Sequence, residues 1–248
     1  MAVVLHGDQI TDYADDNGNR IIGTPDAPAT ASIEFRSNDC TITFASGSRF
    51  QAQVFFLRER SQITIGPGSL LRGRAMLGAD SAIVLGVDVY SGFNVQITTA
   101  EGCTVHIGND VMIANDCRIR ADDSHPIYDG VTGARINHSA SITIGEHVWI
   151  GQEVFLMPGA SVASGSVVGA RSMVTRSHPV PANVLAIGTP ARVHRRNIHW
   201  LRKHLQMDSD VPATIDPVFA APELSPGRGS QTPFLSRVRR LLRLPARR

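Results

Sequence analysis

The sequence is poor in aromatic residues and in cysteine, and it has no long apolar run. Aromatic residues make up 6% of the 248 positions and apolar residues 42%, so a core must consist mainly of aliphatic side chains. The three cysteines form no Cys-x-x-Cys pair, and their odd number argues against a disulfide framework. No stretch approaches the roughly 20 apolar residues of a membrane span, and the start "MAVVLHGDQI" lacks the basic leader of a signal peptide. These absences predict a soluble, cytoplasmic protein.

The charge is nearly balanced overall but unevenly distributed. The formal net charge is +2, yet the last twelve residues, "RVRRLLRLPARR", contain six arginines, which leaves −4 for the rest of the chain. A body with that charge gives no support for nucleic-acid binding. The basic end fits either a solvated tail or a weak contact with an anionic membrane surface. Because Pro245 and the short length make it a poor helix, we favour the solvated tail.

An aliphatic residue recurs every six positions over most of the chain. Glu101 interrupts the first series, and the second series restarts one residue out of step. The positions are Ile65, Leu71, Leu77, Ile83, Val89, Val95, Ile107, Ile113 and Ile119, then Ile144, Ile150, Leu156, Val162, Val168 and Val174. A period of six excludes an amphipathic helix, which repeats near 3.6, and a simple alternating strand, which repeats every two.

Hexapeptide repeats are typical of a parallel β-helix, in which each coil stacks its aliphatic residues on those of the coil below. The predicted fold class is therefore all-β. The scarcity of aromatics fits a narrow prism without room for rings. A β-sandwich is the less favoured alternative, because sandwiches do not keep a fixed register over about fifty residues.

The repeats also define the predicted organisation of the chain. Residues 1–32 are polar and read as an irregular N-terminal segment, and residues 33–193 as the β-helix domain, whose first coils are less regular. Apolar spacing favours a short helix over residues 194–206. The Pro- and Ser-rich composition of residues 207–248 predicts a disordered tail.

The stretch "DDSHPIYDGVTGARIN" breaks the rhythm, and we interpret residues 120–141 as a loop that leaves the coils. Histidine is the side chain whose unperturbed pKa suits proton transfer near neutral pH, so His125 is a candidate general base. Asp122 and Asp123 are candidates to orient its ring. Glu101 either faces outward from a bulge or lies near the site, and we favour the bulge.

The stretch "IGEHVWIGQEVFLMPGASVASGSVVGARSMVTRSHPVPANVLAIGTPARV" resembles the hexapeptide-repeat acyltransferases, whose β-helix is left-handed. "IYDGVTGARIN" and "RRNIHW" are most similar to bacterial O-acetyltransferases that modify capsular and other envelope polysaccharides. The likeness covers roughly residues 30 to 205. Left-handedness rests on the resemblance alone, since it runs against the usual right-handed crossover.

The resemblance implies an enzyme that transfers an acetyl group from acetyl-CoA to a sugar hydroxyl of an envelope polysaccharide or glycolipid precursor. It implies His125 as the catalytic base and Asn94 as a residue that positions the acceptor or the oxyanion; an ordinary corner asparagine is almost equally consistent. The pantetheine arm would bond the main chain near Gly151, Gln152 and Ala170. Arginines are candidates for the phosphates, each with a solvated surface charge as its alternative. The resemblance also implies Trp149 in the wall of the site, with a packing role as its alternative. The remaining cofactor candidates are Arg171, Thr175, Arg176, Arg192 and Arg195.

The resemblance also implies a homotrimer with sites between neighbouring chains. One subunit would contribute His125, and its neighbour would contribute Trp149 and Gly151. No metal ligand set is evident. Two alternatives differ in class: a γ-type carbonic anhydrase, which needs three histidines on zinc, and a β-helix that serves assembly without catalysis.

Overall fold

The computed structural model describes residues 2–204, which form 22 strands and one short 3₁₀-helix, Gly7–Gln9. The strands are β1 (Val3–His6), β2 (Tyr13–Ala14), β3 (Arg20–Ile22), β4 (Ser32–Phe35), β5 (Thr41–Phe44), β6 (Arg49–Phe56), β7 (Gln62–Ile65), β8 (Leu70–Leu77), β9 (Ala82–Leu85), β10 (Tyr90–Ser91), β11 (Gln96–Thr99), β12 (Thr104–Ile107), β13 (Met112–Ile113), β14 (Arg118–Arg120), β15 (Ile142–Ile144), β16 (Trp149–Ile150), β17 (Phe155–Leu156), β18 (Ser161–Val162), β19 (Val167–Val168), β20 (Met173–Val174), β21 (Val184–Ile187) and β22 (Arg192–Arg196).

The strands stack into the three faces of a prism, and pairing between successive coils is parallel. The first face contains β3, β5, β7, β9, β12, β15 and β18; the second contains β10, β13, β16, β19 and β21; the third contains β11, β14, β17 and β20. Strands β6 and β8 are long enough to bend from the second face onto the third. Gly73 permits this bend in β8, because its φ is +90° and a Cβ there would meet the carbonyl oxygen of Val95.

Every aliphatic residue of the two six-residue series is at most 1% exposed, so the predicted core is confirmed. Each such side chain stabilises the fold by about 1.5–3 kcal/mol relative to an exposed one. Coil length varies along the prism. Thr143 pairs with Ser161, 18 residues later, whereas Thr41 pairs with Gln62, 21 residues later. The C-terminal coils are therefore three hexapeptides long, and the N-terminal coils are wider.

The wider coils admit aromatic rings, contrary to the expectation from composition. Phe35, Phe50 and Phe56 are at most 1% exposed, and the rings of Phe35 and Phe56 stack with centroids 5.0 Å apart. Longer strands separate the faces enough to hold rings between them.

The N-terminal segment 1–32, predicted to be irregular, instead extends the sheets. Strand β3 pairs in parallel with β5, and β1 pairs antiparallel with β4. The physical reason is that the open end of a β-helix leaves unpaired backbone groups, which an additional strand satisfies.

The helix predicted over residues 194–206 is wrong for the described part of that range. Arg192–Arg196 forms β22, which pairs antiparallel with β21, and residues 197–204 contain no helix. The free edge of β21 offers hydrogen bonds that outweigh a weak helical preference. Trp200 then stacks on His147 with ring centroids 4.1 Å apart. The tail predicted for residues 207–248 lies outside the described residues.

The loop interrupts the coils where it was predicted. Residues 121–141 join β14 on the third face to β15 on the first face. We call the edge between these faces the loop edge, and the edge between the second and third faces the Asn94 edge. Among residues 2–204, no helix is long and apolar enough to cross a membrane.

Candidate active site

The return arm of the loop is bound to Glu101, in the coil that precedes the loop. Arg135 makes a two-pronged ion pair with the carboxylate: Nη1 donates to Oε1, and Nη2 donates to Oε2 at 2.9 Å. Ser139 donates to the same Oε2 from Oγ at 2.5 Å and from its main-chain N–H at 3.3 Å. The hydrogen bonds from Arg135, and to a smaller extent those from Ser139, lower the pKa of Glu101 to about 2. The carboxylate is therefore ionised at any physiological pH.

Asn137 connects that arm to the segment that carries His125. Its Nδ2 donates to the main-chain oxygen of His125 at 2.8 Å and to Oδ2 of Asp123 at 3.1 Å. Its Oδ1 accepts the N–H of Ile127 at 2.6 Å. One amide side chain thus holds the main chain at His125 and Ile127 and the side chain of Asp123 before them.

The imidazole of His125 is exposed, and the two aspartates expected to orient it have other partners in the single chain. Asp122 is buried and accepts the N–H of Ser124 at 2.9 Å, while Asp123 accepts from Asn137. Within residues 2–204, no hydrogen bond joins either carboxylate to the imidazole. The proposed orienting role of these carboxylates stays a prediction.

Asn94 lies on the Asn94 edge and not on the loop edge. Its φ of 56° is a tight-corner conformation, which asparagine tolerates better than most residues. Its Nδ2 donates to Oδ1 of Asp116 at 2.8 Å, and its main-chain oxygen accepts from Arg118 at 3.2 Å. In one chain, therefore, Asn94 adopts the ordinary corner arrangement, and its amide already has a partner.

Four of the predicted cofactor residues lie together on the Asn94 edge. Gly151 is buried, and its N–H donates to the oxygen of Val168 at 2.8 Å. Gln152 and Ala170 are exposed beside it. Arg171 is 79% exposed and pairs with Glu153 at 2.9 Å.

An open groove with a volume of about 400 Å³ includes Arg171 and runs onto the third face past Arg118 and Phe155. A groove of this kind is a suitable place for an extended ligand.

The other predicted cofactor residues are elsewhere on the prism. Thr175 and Arg176 are at the loop edge, where Arg176 lies over Gly159 and Thr175 Oγ1 is 3.1 Å from His178 Nδ1. The second face holds the remaining three. Trp149 on β16 is 39% exposed there. Strand pairing connects Trp149 through β19 and β21 to Arg195 on β22. Arg192 pairs with Ile187 at the start of β22.

One chain therefore does not bring all the predicted residues together. In a three-sided prism, the loop edge lies opposite the second face. His125 and Trp149 consequently belong to opposite sides of the same chain.

Three contributors to the site went unrecognised in the sequence: Arg135, Asn137 and Ser139. A signal for them existed, because Glu101 replaces an aliphatic residue of the repeat. The structure shows that Glu101 faces outward from a turn, as we favoured, and that it also contacts the loop. No three His, Cys, Asp or Glu side chains of residues 2–204 are grouped so that they could hold a metal ion.

Comparison with known proteins finds relatives that are named as O-acetyltransferases. No family model matches the chain. It is 34% identical over 152 residues to the galactoside O-acetyltransferase of Escherichia coli K12, covering 60% of this chain and 72% of the relative. It is 38% identical over 140 residues to the polysialic acid O-acetyltransferase of Escherichia coli O1:K1, covering 56% of this chain but only 45% of the relative.

Among solved structures, the polySia-specific acetyltransferase NeuO matches with a TM-score of 0.65 and 30% identity. The match covers 76% of this chain and 81% of that one. The six-residue repeat, the stacked coils and the relatives all indicate the same family. The chain belongs to the hexapeptide-repeat O-acetyltransferases, whose prism is a left-handed parallel β-helix.

Proposed function

We propose that this protein transfers an acetyl group from acetyl-CoA to a sugar hydroxyl of an envelope polysaccharide or of its glycolipid precursor. The observation that carries the proposal is the loop at residues 121–141, which presents an exposed histidine on a main chain fixed by Asn137. The loop also carries an exposed His138, and the hydrogen bond from Asn137 to the main-chain oxygen of His125 distinguishes His125 from it. Relatives named as O-acetyltransferases support the same reaction class.

The proposed chemistry needs a base, because a protonated hydroxyl is a poor nucleophile. His125 accepts the hydroxyl proton while the sugar oxygen attacks the thioester carbonyl carbon. The C–S bond then breaks, and the CoA sulfur leaves with the proton that the imidazolium returns. The products are the acetyl ester and free CoA, so no further reactant is required.

The third face favours an acidic acceptor. Outward-facing arginines lie on it: Arg74 on β8 and Arg118 on β14 near the Asn94 edge, and Arg120 on β14 beside the loop. They bond Gln53, the main-chain oxygen of Asn94, and Ser124 respectively. None of the three makes an ion pair with a carboxylate of residues 2–204. Uncompensated arginines attract carboxylate groups, and one relative is named for polysialic acid, a polyanion.

A homotrimer is part of the proposal. His125 and the Trp149–Gly151 segment lie on opposite sides of one prism, so a cleft that uses both must form between two chains. Cyclic association of three prisms places the loop edge of one chain against the neighbour.

The test is an acetylation assay with wild-type protein and His125→Ala. Acetyl-CoA is supplied with a polysialic acid or with a neutral polysaccharide, and mass spectrometry detects the increment of an acetyl group. We expect transfer to the acidic polymer, and a kcat roughly 10²–10⁴ lower for His125→Ala.

His138→Ala, in the same loop, is the control and should keep wild-type kcat. Wild-type activity in His125→Ala would remove the base from the mechanism. The absence of acetyl transfer to any polysaccharide or glycolipid would overturn the proposed function.

A further inference from the structure

Glu101 occupies a coil that is longer than the coils after the loop. Thr104 pairs with Ala82, 22 residues earlier, against 18 for the coil from Thr143 to Ser161. The additional residues lengthen the third-face strand, so that the turn after it projects from the prism. Glu101 lies in this turn with a φ of 56°. This turn lies on the loop edge, directly before the coil from which the loop leaves. The length of the coil thus brings a carboxylate to the base of the loop.

The loop buries little apolar surface of its own. Ile127 is 54% exposed, Ile136 is 63% exposed and Val131 is 96% exposed. Hydrophobic packing therefore contributes little to its conformation, and hydrogen bonds must define it. Four of those bonds converge on the Glu101 carboxylate, two from Arg135 and two from Ser139.

The residues that bind Glu101 lie on either side of Asn137. Arg135 Nη2 also donates to the main-chain oxygen of Asn137 at 3.2 Å. Asn137 in turn donates to the main-chain oxygen of His125 at 2.8 Å. A continuous polar path thus runs from Glu101 through the return arm to the main chain of the histidine.

We propose that Glu101 is a positioning residue, whose carboxylate clamps the return arm of the loop so that Asn137 holds His125 in place for proton transfer. This inference rests on the proposed function, because it takes His125 as the base. Glu101 touches neither the imidazole nor a reacting atom in this arrangement, so it is not itself catalytic. Misplacement of a base by about 1 Å reduces a rate by on the order of 10²-fold, so a clamp of this kind affects kcat.

The structure supplies a matched control. Asp80 lies on the same edge one coil earlier, has a φ of 55°, and makes a two-pronged ion pair with Arg60 through bonds of 2.7 and 2.8 Å. That pair is more exposed, with 55% and 52% of the Arg60 and Asp80 side chains accessible against 25% and 45% for Arg135 and Glu101, and it touches no part of the loop. Glu101→Gln and Asp80→Asn each remove one charge from an exposed ion pair, whose contribution to stability is small.

The experiment measures kcat, the KM for acetyl-CoA and amide hydrogen exchange in both variants. Glu101→Gln should lower kcat by roughly 10- to 100-fold, leave that KM within about twofold, and speed exchange in residues 122–139 while the coils keep their protection. Asp80→Asn should match wild type in all three. Equal kcat and equal loop exchange in Glu101→Gln and wild type would overturn the inference.

A double variant separates this inference from the proposed function. If Glu101 acts through His125, Glu101→Gln should lower kcat no further in a His125→Ala background. A further, independent tenfold loss would contradict the clamp. If no protein transfers an acetyl group, the proposed function fails; if His125→Ala keeps wild-type activity, the proposed role of His125 as base fails. In either case the exchange measurement still decides whether Glu101 holds the loop.

Discussion

At the scale of the residue, the charge of Glu101 is the feature that most directly affects the loop. Its pKa is about 2, against an ordinary value of 4.5, because Arg135 and Ser139 bond the ionised form. A carboxyl group whose pKa is lower in the folded state stabilises that state fully above its unfolded pKa. This stabilisation is lost as the pH falls towards the folded value. The stabilisation from Glu101 is therefore lost as the pH falls from about 4.5 to about 2.

We expect acidification to release the loop of the wild-type protein before it affects the coils. Between about pH 5 and about pH 2, hydrogen-exchange protection factors in residues 122–139 should fall as Glu101 takes up a proton. In Glu101→Gln, these factors should be low already at pH 5 and should change little. The comparison is one of protection factors, which corrects for the intrinsic effect of pH on exchange. Identical acid profiles in the two proteins would contradict the assigned role of the carboxylate.

The arginines of the cofactor set can be tested singly. Arg192 is exposed on β22 and makes no ion pair within residues 2–204, so it is available to bind a phosphate. Loss of one charge-assisted contact should raise the KM for acetyl-CoA about tenfold in Arg192→Ala, with kcat little changed. Arg20→Ala, an exposed arginine on β3 at the other end of the prism, is the control. An unchanged KM for Arg192→Ala would exclude Arg192 from the cofactor site.

At the scale of the element, the coils tolerate no side chain where two main chains meet. A Cβ on Gly151 would lie 2.8 Å from the nitrogen of Ala170 and 2.8 Å from the oxygen of Val168. Gly151 therefore offers a ligand only its main chain, and any substitution there disturbs the stacking itself. A large residue at this position would not block the cofactor cleanly.

We expect Gly151→Ala to lower the free energy of unfolding by about 1–3 kcal/mol, the usual cost of overpacking a filled interior. Gly130→Ala should change it by less than about 0.5 kcal/mol, because a Cβ at Gly130 meets nothing within 4 Å. Denaturant unfolding of both variants makes the comparison. Equal stability of the two would mean that the coils separate at Gly151 more easily than their packing indicates.

At the scale of the whole molecule, the prism separates the two halves of the proposed site. The loop edge carries His125, while Ala170 and the groove lie on the Asn94 edge and Trp149 on the second face. Three chains around a common axis would make three equivalent clefts, each with one half from each neighbour. Ala170 is exposed and directly precedes Arg171, which lines the groove, so we expect a large side chain there to obstruct the groove without disturbing the core.

Mixed assemblies test this geometry. His125→Ala and Ala170→Trp should each be inactive as pure proteins and should each sediment as trimers. After subunit exchange of an equal mixture, about a quarter of the clefts should pair an intact loop with an intact groove and regain activity. If mixing and exchange restore no activity, each site is built from one chain and the proposed cleft is wrong.

The sequence by itself determined the coils, because a period of six dictates which side chains face inward wherever a coil has three equal sides. Ile144, Ile150 and Leu156 could be assigned to the core without coordinates for that reason. The departure of the loop was equally visible, since polar residues and a shift of register cannot continue a stacked coil. The hypothesis that His125 is the base came from its residue type, its place in that loop and the resemblance of the loop to that of known acyltransferases, and it stays a prediction.

Only the tertiary structure decided what the ends of the prism do and what holds the loop. At the two ends of the prism, β1 and β22 pair with the edge strands β4 and β21. The hydrogen bonds gained at these edges outweigh a weak local preference for irregular chain or for helix. Glu101 and Ser139 are 38 residues apart and meet because the coil of Glu101 is four residues longer than the C-terminal coils. Contacts between coils depend on the number of residues in each coil, and the local pattern of residues does not determine that number.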